Sequence, residues 1–428
     1  MRFDLIPPKD QLALFMARVY EHGMTTTSGG NLSILDEDGS LWITPAATDK
    51  GQTKPEDIVR VDPNGAITGP HRPSSEYPFH RAVYEKRPDL RGLVHAHPSA
   101  LVAFSIIGEV PDTRLIPQAE SVCGEVGFAP YELPGSPELG KSIAETFARG
   151  HDCILLENHG VVCGGKDLPK AFEKFETLEF CARLIIRAKM LGELTSIGRD
   201  QRRLFDPMKS QLPEFEPGPR ARREKELRSE MTQIMRRAYR QELMTSSEGT
   251  LSARIEGDTF LISPFGVDRK WIEMEDFVLI HAGKREPGRS PSRAVHLHRT
   301  IYQTHPWVQS IVTAQAPNIT AFGLVEKTLE TRTIPESYIL LRDIPKVPFG
   351  PQYDDEQTVA SAISERTPVV ILQNDAVLVT GGSLLEAFDR LEVAEFTACS
   401  VIDAISIGKL KVIEPSRIVD LNERFNLP

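Results

Sequence analysis

Leu93-Val94-His95-Ala96-His97-Pro98, in the first half of this 428-residue chain, is answered in the second half by Ile311-Val312-Thr313-Ala314-Gln315-Ala316-Pro317. Working outward, Pro73-Ser74-Ser75-Glu76 with His80 is matched by Pro291-Ser292-Arg293-Ala294 with His298. Downstream, Glu157-Asn158-His159-Gly160-Val161-Val162 is matched by Gln373-Asn374-Asp375-Ala376-Val377-Leu378. Apolar and turn positions recur at an offset of roughly 216 to 219 residues, whereas three histidines and one glutamate disappear from the second copy. The duplication keeps a scaffold and erases one polar cluster, which marks that cluster as the functional site. The repeat therefore sets two domains, within the range that chain length allows.

Composition narrows the functional classes. A formal charge of −10 opposes a nucleic-acid or anionic-membrane partner, both of which require clustered positive charge. The run Arg220 to Arg228 is interleaved with glutamates and reads as a solvated helix start. No apolar stretch reaches the ~20 residues a membrane helix needs, and the N-terminus lacks the apolar core of a signal peptide. Five cysteines, scattered and never spaced as CxxC, fit reduced thiols and a cytoplasmic location.

Periodicity predicts a helix over 9–22, hairpin strands at 32–35 and 41–44 joined by Asp38-Gly39, and a turn at Asp62-Pro63-Asn64-Gly65. It continues with a helix at 75–87, a buried strand at 92–97 and a helix at 98–107. A strand follows near 126–129, a helix at 136–149, strands at 153–156 and 160–163, and a long helix from 167 to about 191. The second copy reproduces this order. Five Pro and Gly positions (Pro207, Pro213, Pro217, Gly218, Pro219) place a linker at 206–221. The domains are then 1–205 and 222–428. Short strands joined largely by hairpins, with helices segregated around them, suggest an α/β fold, an αβα sandwich on a mostly antiparallel sheet.

On a strand, residues i and i+2 share a face, so His95 and His97 present two imidazoles side by side. His159 sits in a tight turn at a strand end and is lost, as Asp375, together with the other two. Three imidazoles and a carboxylate suit a catalytic divalent ion with an open position. Zinc leads; manganese, cobalt and ferrous iron accept the same ligands. Glu76 is the carboxylate, since the second copy keeps a helix-like segment at 292–302 but carries Ala294 there. His80 persists as His298 and reads as structural.

The order GGN, hairpin, TP, PSSE, HAHP, NHG resembles the class II aldolase/adducin family. The resemblance covers nearly all of the first copy and the scaffold of the second. It implies that His95, His97 and His159 bind the metal and that Glu76 is the acid/base. It also implies a substrate phosphate held by Asn31, Ser74, Ser75 and a TP turn. Here that turn reads Thr44-Pro45-Ala46-Ala47, lacking a hydroxyl and a glycine, so Lys50 is a candidate to hold a carboxylate instead. The tyrosine that family aldolases use as general acid has no counterpart between Arg114 and Tyr131 at the family spacing. The resemblance thus implies a lyase acting on a small hydroxy-carbonyl substrate, an aldolase or, alternatively, a decarboxylase of a β-oxo or hydroxy-aromatic acid. Epimerase, dehydratase and ferrous oxygenase chemistry remain open. The competing class is a non-catalytic, adducin-like scaffold. Fourfold rings of single-domain members imply a homodimer in which active and degenerate domains alternate in a pseudo-fourfold ring.

Overall fold

The computed structural model describes residues 2–205 and 210–427; residues 206–209 of the expected linker lie outside the described residues. Two compact units are present, the first comprising residues 1–113 and 119–183, the second 114–118 and 184–428.

The first unit opens with helix α1 (Pro8–Glu21), whose proline start is pre-set for a helix. Its Leu12, Phe15, Met16 and Val19 are buried along one face, and Gly23 follows in the left-handed conformation (φ 63°). Strands β1 (Asn31–Leu35), β2 (Leu41–Ile43), β3 (Val59–Val61) and β4 (Ile67–Thr68) follow. Next come α2 (Tyr77–Lys86), β5 (Gly92–Ala96), α3 (Ser99–Ile106), α4 (Pro117–Cys123), β6 (Gly127–Ala129) and α5 (Pro137–Ala148). Strands β7 (Cys153–Leu156) and β8 (Gly160–Gly165) precede the long α6 (Leu168–Leu191).

The eight strands form one sheet in the order β4-β3-β2-β1-β5-β8-β7-β6. It is a mixed sheet, which corrects the expectation of a mostly antiparallel one. Hairpin-type neighbours run antiparallel, but β6 lies parallel to β7. The reason is the connection: α5 carries the chain from the end of β6 back to the start of β7, a crossover that a hairpin turn cannot make. On one face Phe79 and Val83 of α2 and Leu139, Ile143 and Phe147 of α5 pack against Ile43, Val59, Leu93, Ile154 and Val162. The alternate residues of β5, β7 and β8 are buried as well. These strands are thus covered on both faces.

The second unit repeats the plan. Strands β9 (Thr250–Glu256), β10 (Thr259–Ile262), β11 (Val278–His281), β12 (Lys284–Arg285), β13 (Ser310–Ala314), β14 (Lys346–Val347), β15 (Val369–Leu372) and β16 (Ala376–Gly381) run in the order β12-β11-β10-β9-β13-β16-β15-β14. The permutation is the same as in the first sheet, including one parallel pair, β14 with β15. Of the expected linker, Glu214 bridges Arg285 beside β12. The Pro213 carbonyl accepts from the Arg285 N–H and the Phe215 N–H donates to the Arg285 carbonyl, while Pro217, two residues on, has no N–H to extend the ladder.

Two glycines let α6 approach the sheet. A Cβ at Gly92 would lie 2.5 Å from the Leu168 backbone nitrogen, and one at Gly165 would lie 2.4 Å from that of Ala171. Both contacts are with backbone, which cannot rotate aside. Gly92→Ala is expected to destabilise the protein by about 1–3 kcal/mol through overpacking. Urea unfolding checks this, and an unchanged midpoint would mean that α6 shifts freely.

Candidate metal centre

The site is assembled by three neighbouring strands and the turn ahead of α2. In the β1–β5 ladder Asn31 stands opposite His95, and in the β5–β8 ladder His95 stands opposite Val162. His97 follows the last residue of β5. Its ring meets that of His95. His159 sits in the β7–β8 turn after Asn158, whose φ of 51° is left-handed, a conformation that asparagine tolerates. Asn374 repeats it at 56°. Glu76 is the residue immediately before α2.

The three imidazoles form a near-equilateral triangle with ring centroids 4.9, 5.0 and 5.1 Å apart, and one nitrogen from each lies within 4.8 Å of the others. His95 Nδ1 is 2.9 Å from the Val161 carbonyl. That contact requires a proton on Nδ1 and leaves the Nε2 lone pair facing the site. His95 Nε2 and His97 Nε2 are 3.2 Å apart. Two nitrogens bound at zinc distances to one tetrahedral ion are separated by roughly 3.3 Å. Glu76 Oε2 is 3.2 Å from His95 Nε2, and its Oε1 is 3.5 Å from His159 Nε2. Glu76 Oε1 and His159 Nδ1 are buried without a hydrogen-bond partner. This donor set fits a divalent cation: three imidazoles and a carboxylate converge, and one carboxylate oxygen is left uncommitted.

Electrostatics agree. Burial pushes the Glu76 carboxyl upward, but the charge of His95, its hydrogen bonds with His95 and Asn31, and the charge of His159 reverse this, so it is held below the usual carboxylate range. Burial disfavours the His95 cation, yet Glu76 and the Val161 carbonyl raise it on balance. Burial and the neighbouring imidazoles lower His97 to about 3, and burial and His95 lower His159 to about 4. Both are therefore neutral near pH 7, the state that ligates metal.

Asn31 donates from Nδ2 to Glu76 Oε2 at 2.7 Å, and its Oδ1 accepts from His80 Nε2. His80 Nδ1 in turn meets Ser33 Oγ at 2.7 Å, and Ser33 Oγ meets the Tyr84 hydroxyl. The second unit keeps this chain as Ser252, His298 and Tyr302. His298 Nε2, however, ends on Thr313, the counterpart of His95. His80 is thus structural, and it also aims Asn31, a role with no separate mark in the sequence.

The remaining expected residues divide. Ser74 is buried and its Oγ accepts from the Glu76 backbone N–H, while Ser75 is exposed beside the site turn. Lys50 is turned inward: it is only 3% exposed and donates to the Pro45 carbonyl at 2.6 Å. Arg269 makes the equivalent bond to Pro264, so this position braces the turn. Burial lowers the Lys50 ammonium to about 8. Tyr131 is 53% exposed, and its backbone N–H donates to Glu157.

The Class II Aldolase and Adducin N-terminal domain matches this chain twice, over residues 10–186 and 229–401. The chain belongs to that family. Among curated relatives, a 5-deoxy-D-ribulose 1-phosphate aldolase of Bacillus thuringiensis serovar kurstaki is 32% identical over 196 residues, 45% of this chain and 91% of the relative. A 3-oxo-tetronate 4-phosphate decarboxylase of Haemophilus influenzae is 34% identical over 39% of this chain and 80% of its own length. An L-fuculose phosphate aldolase of Methanocaldococcus jannaschii is 34% identical over 42% of this chain and 95% of its own. These relatives are lyases, and the chain is an enzyme of that class. No helix among the described residues is long and apolar enough to cross a membrane.

Burial lowers both His80 and His298 to about 3, whereas an unfolded imidazole titrates near 6.5. Between those values the unfolded chain binds more protons. Stability is therefore complete above about pH 6.5 and falls as pH drops toward 3, by up to ~1.4 kcal/mol per pH unit for each group. Urea midpoints should be lower at about pH 5 than at about pH 7. His298→Gln should shrink that difference; an unaltered difference would remove His298 as its source.

Proposed function

We propose that the first unit is a metal-dependent lyase cleaving a C–C bond of a small hydroxy-carbonyl compound, a sugar phosphate or sugar acid. His95, His97 and His159 would hold the ion and Glu76 would move the proton. The reading is carried by one observation: three imidazoles and a carboxylate with an uncommitted oxygen converge in one unit, and their counterparts in the other are Thr313, Gln315, Asp375 and Ala294. A bound divalent ion, zinc first and manganese, cobalt or ferrous iron next, supplies polarisation of a substrate oxygen where negative charge develops. Asn31 holds Glu76 Oε2 and so leaves Oε1 to exchange a proton with substrate. Ser75, which is exposed, and Ser74 beside it would meet the polar end of the substrate.

Decarboxylation is the second reading. Cleavage of an aldol needs a proton donor for the departing fragment, and no tyrosine stands between Arg114 and Tyr131 at the family spacing. Loss of carbon dioxide from a β-oxo acid has no such requirement, and one relative is named for it. We place the functional domains at 1–205 and 222–428 with the linker 206–221, and the second as a catalytically silent, adducin-like scaffold. We further propose a cytoplasmic homodimer closing a pseudo-fourfold ring.

Zinc-loaded full-length protein should be assayed with L-fuculose 1-phosphate, 5-deoxy-D-ribulose 1-phosphate and 3-oxo-tetronate 4-phosphate, following aldehyde and carbon dioxide separately. Glu76→Gln is expected to keep the metal and lose turnover by about 100-fold or more. His95→Ala with His97→Ala should lose both. Turnover surviving Glu76→Gln would remove Glu76 from the proton step.

Metal analysis gives an independent check. One ion per chain is expected, because only one copy carries the ligands; two per chain would contradict the assignment of the second unit.

A further inference from the structure

Three cysteine thiols meet in the first unit, away from the metal centre. Cys153 on β7 and Cys163 on β8 stand directly opposite each other in the antiparallel ladder. Their neighbours Ile154 and Val162 belong to the core under α2 and α5. By alternation both cysteines therefore point to the other face, where Lys174 of α6 acts on each of them. The Gly164 N–H donates to the Asp152 carbonyl at 2.8 Å, so residues 153 and 163 form a pair without mutual backbone hydrogen bonds. The Cα atoms of such a pair stand about 4.5 Å apart, inside the roughly 4.4–6.8 Å that a disulfide spans.

Cys123, at the end of α4, brings the third thiol within hydrogen-bonding reach of Cys153, and its Sγ also has the Lys174 carbonyl at 3.4 Å. Hydrogen bonds from Cys123 and Cys163, with the Lys174 ammonium, hold the Cys153 thiol well below its usual range, against burial and the charge of Asp152. Cys153 is thus the sulfur that ionises first, and the thiolate is the nucleophilic form. Packing does not ask for sulfur at these places. In the second unit Val369 stands opposite Val379 in the same register, and Leu341 ends the helix Pro335–Leu341 as Cys123 ends α4. All three of those aliphatic side chains are buried. A depression of about 350 Å³, lined by Cys123, Asp152 and Lys174 and by the exposed Glu125 and Arg149, leads to the cluster. It has room for a solute larger than water.

We propose that Cys153 and Cys163 are an oxidation site that closes a reversible disulfide on meeting a small hydroperoxide. The Cys153 thiolate attacks a peroxide oxygen, the O–O bond breaks, and the leaving oxygen takes a proton from solvent to depart as alcohol or water. The Cys163 sulfur then displaces the hydroxyl of the resulting sulfenic acid, which forms the S–S bond and releases water with the Cys163 proton. Two thiols lose two electrons and two protons, and one hydroperoxide becomes one alcohol and one water. Cys123 keeps the Lys174 carbonyl as its acceptor and remains a thiol. The bond ties β7 to β8, the strands joined by the turn that carries His159.

The test exposes reduced, zinc-loaded, full-length protein to hydrogen peroxide at neutral pH; zinc contributes no redox chemistry of its own. Acid quenching, alkylation in denaturant and peptide mapping by mass spectrometry then locate the cross-link. A Cys153–Cys163 disulfide that dithiothreitol reverses is expected in the native protein. Cys153→Val copies the second unit, so it should fold normally and leave Cys123 and Cys163 as free thiols. Lys174→Met should slow formation of the disulfide about tenfold, because the thiolate loses its neighbouring cation. Inert thiols at all three positions, a cross-link to Cys123 instead, reaction only after unfolding in urea, a disulfide formed in Cys153→Val, or an unchanged rate in Lys174→Met would each overturn the proposal.

Discussion

The cluster of three histidines and Glu76 depends on one register, the antiparallel alignment of β1 with β5 that sets Asn31 against His95. A slip of one residue would turn every side chain of either strand to the opposite face and separate Asn31 from Glu76. The third strand completes the constraint: the Val161 carbonyl on β8 fixes the His95 ring and its proton. The ladder thus does more than join strands. It orients His95, presents Asn31, which holds Glu76, and places the β7–β8 turn from which His159 projects.

Beneath that register lies a buried polar chain common to both units. Ser33, His80 and Tyr84 in one, and Ser252, His298 and Tyr302 in the other, tie the helix after the PSS turn to the first strand of the hairpin. A satisfied network of this kind specifies a single packing, and losing one member would strand the others. This explains why a histidine survives in a unit that lost three others. Its free end is what diverged, reaching Asn31 in the first unit and Thr313 in the second.

Much of this was legible because the two copies differ so selectively. The contrast between His95, His97, His159 and Glu76 and their replacements identified the cluster without coordinates, and strand and helix positions followed from periodicity. Other features had no local signature. The parallel entry of β6 is a property of connectivity, not of three residues. The inward turn of Lys50 depends on the Pro45 carbonyl, which only the folded turn brings close. Ala47 holds φ of 53° where the second copy has Gly266 at 70°. The altered turn therefore keeps its left-handed conformation despite losing its glycine, which the composition of the turn alone does not reveal.

The glycines carried a signal that the histidines overshadow. A Cβ at Gly29 would sit 3.0 Å from His97 Nδ1, and one at Gly160 would sit 2.6 Å from His97 Cδ2. A side chain at position 160 would thus collide with the His97 ring, and one at position 29 would press on it. In the second copy these positions are Glu248 and Ala376, and the histidine is Gln315. The three changes are one change sterically, since either side chain alone would crowd an imidazole there. Glu248 then needs a partner, and Arg293, in place of Ser75, provides it. The two units thus differ by a repacking of linked positions around the strand end, and a single change to histidine at 315 would meet side chains that the first unit does not have.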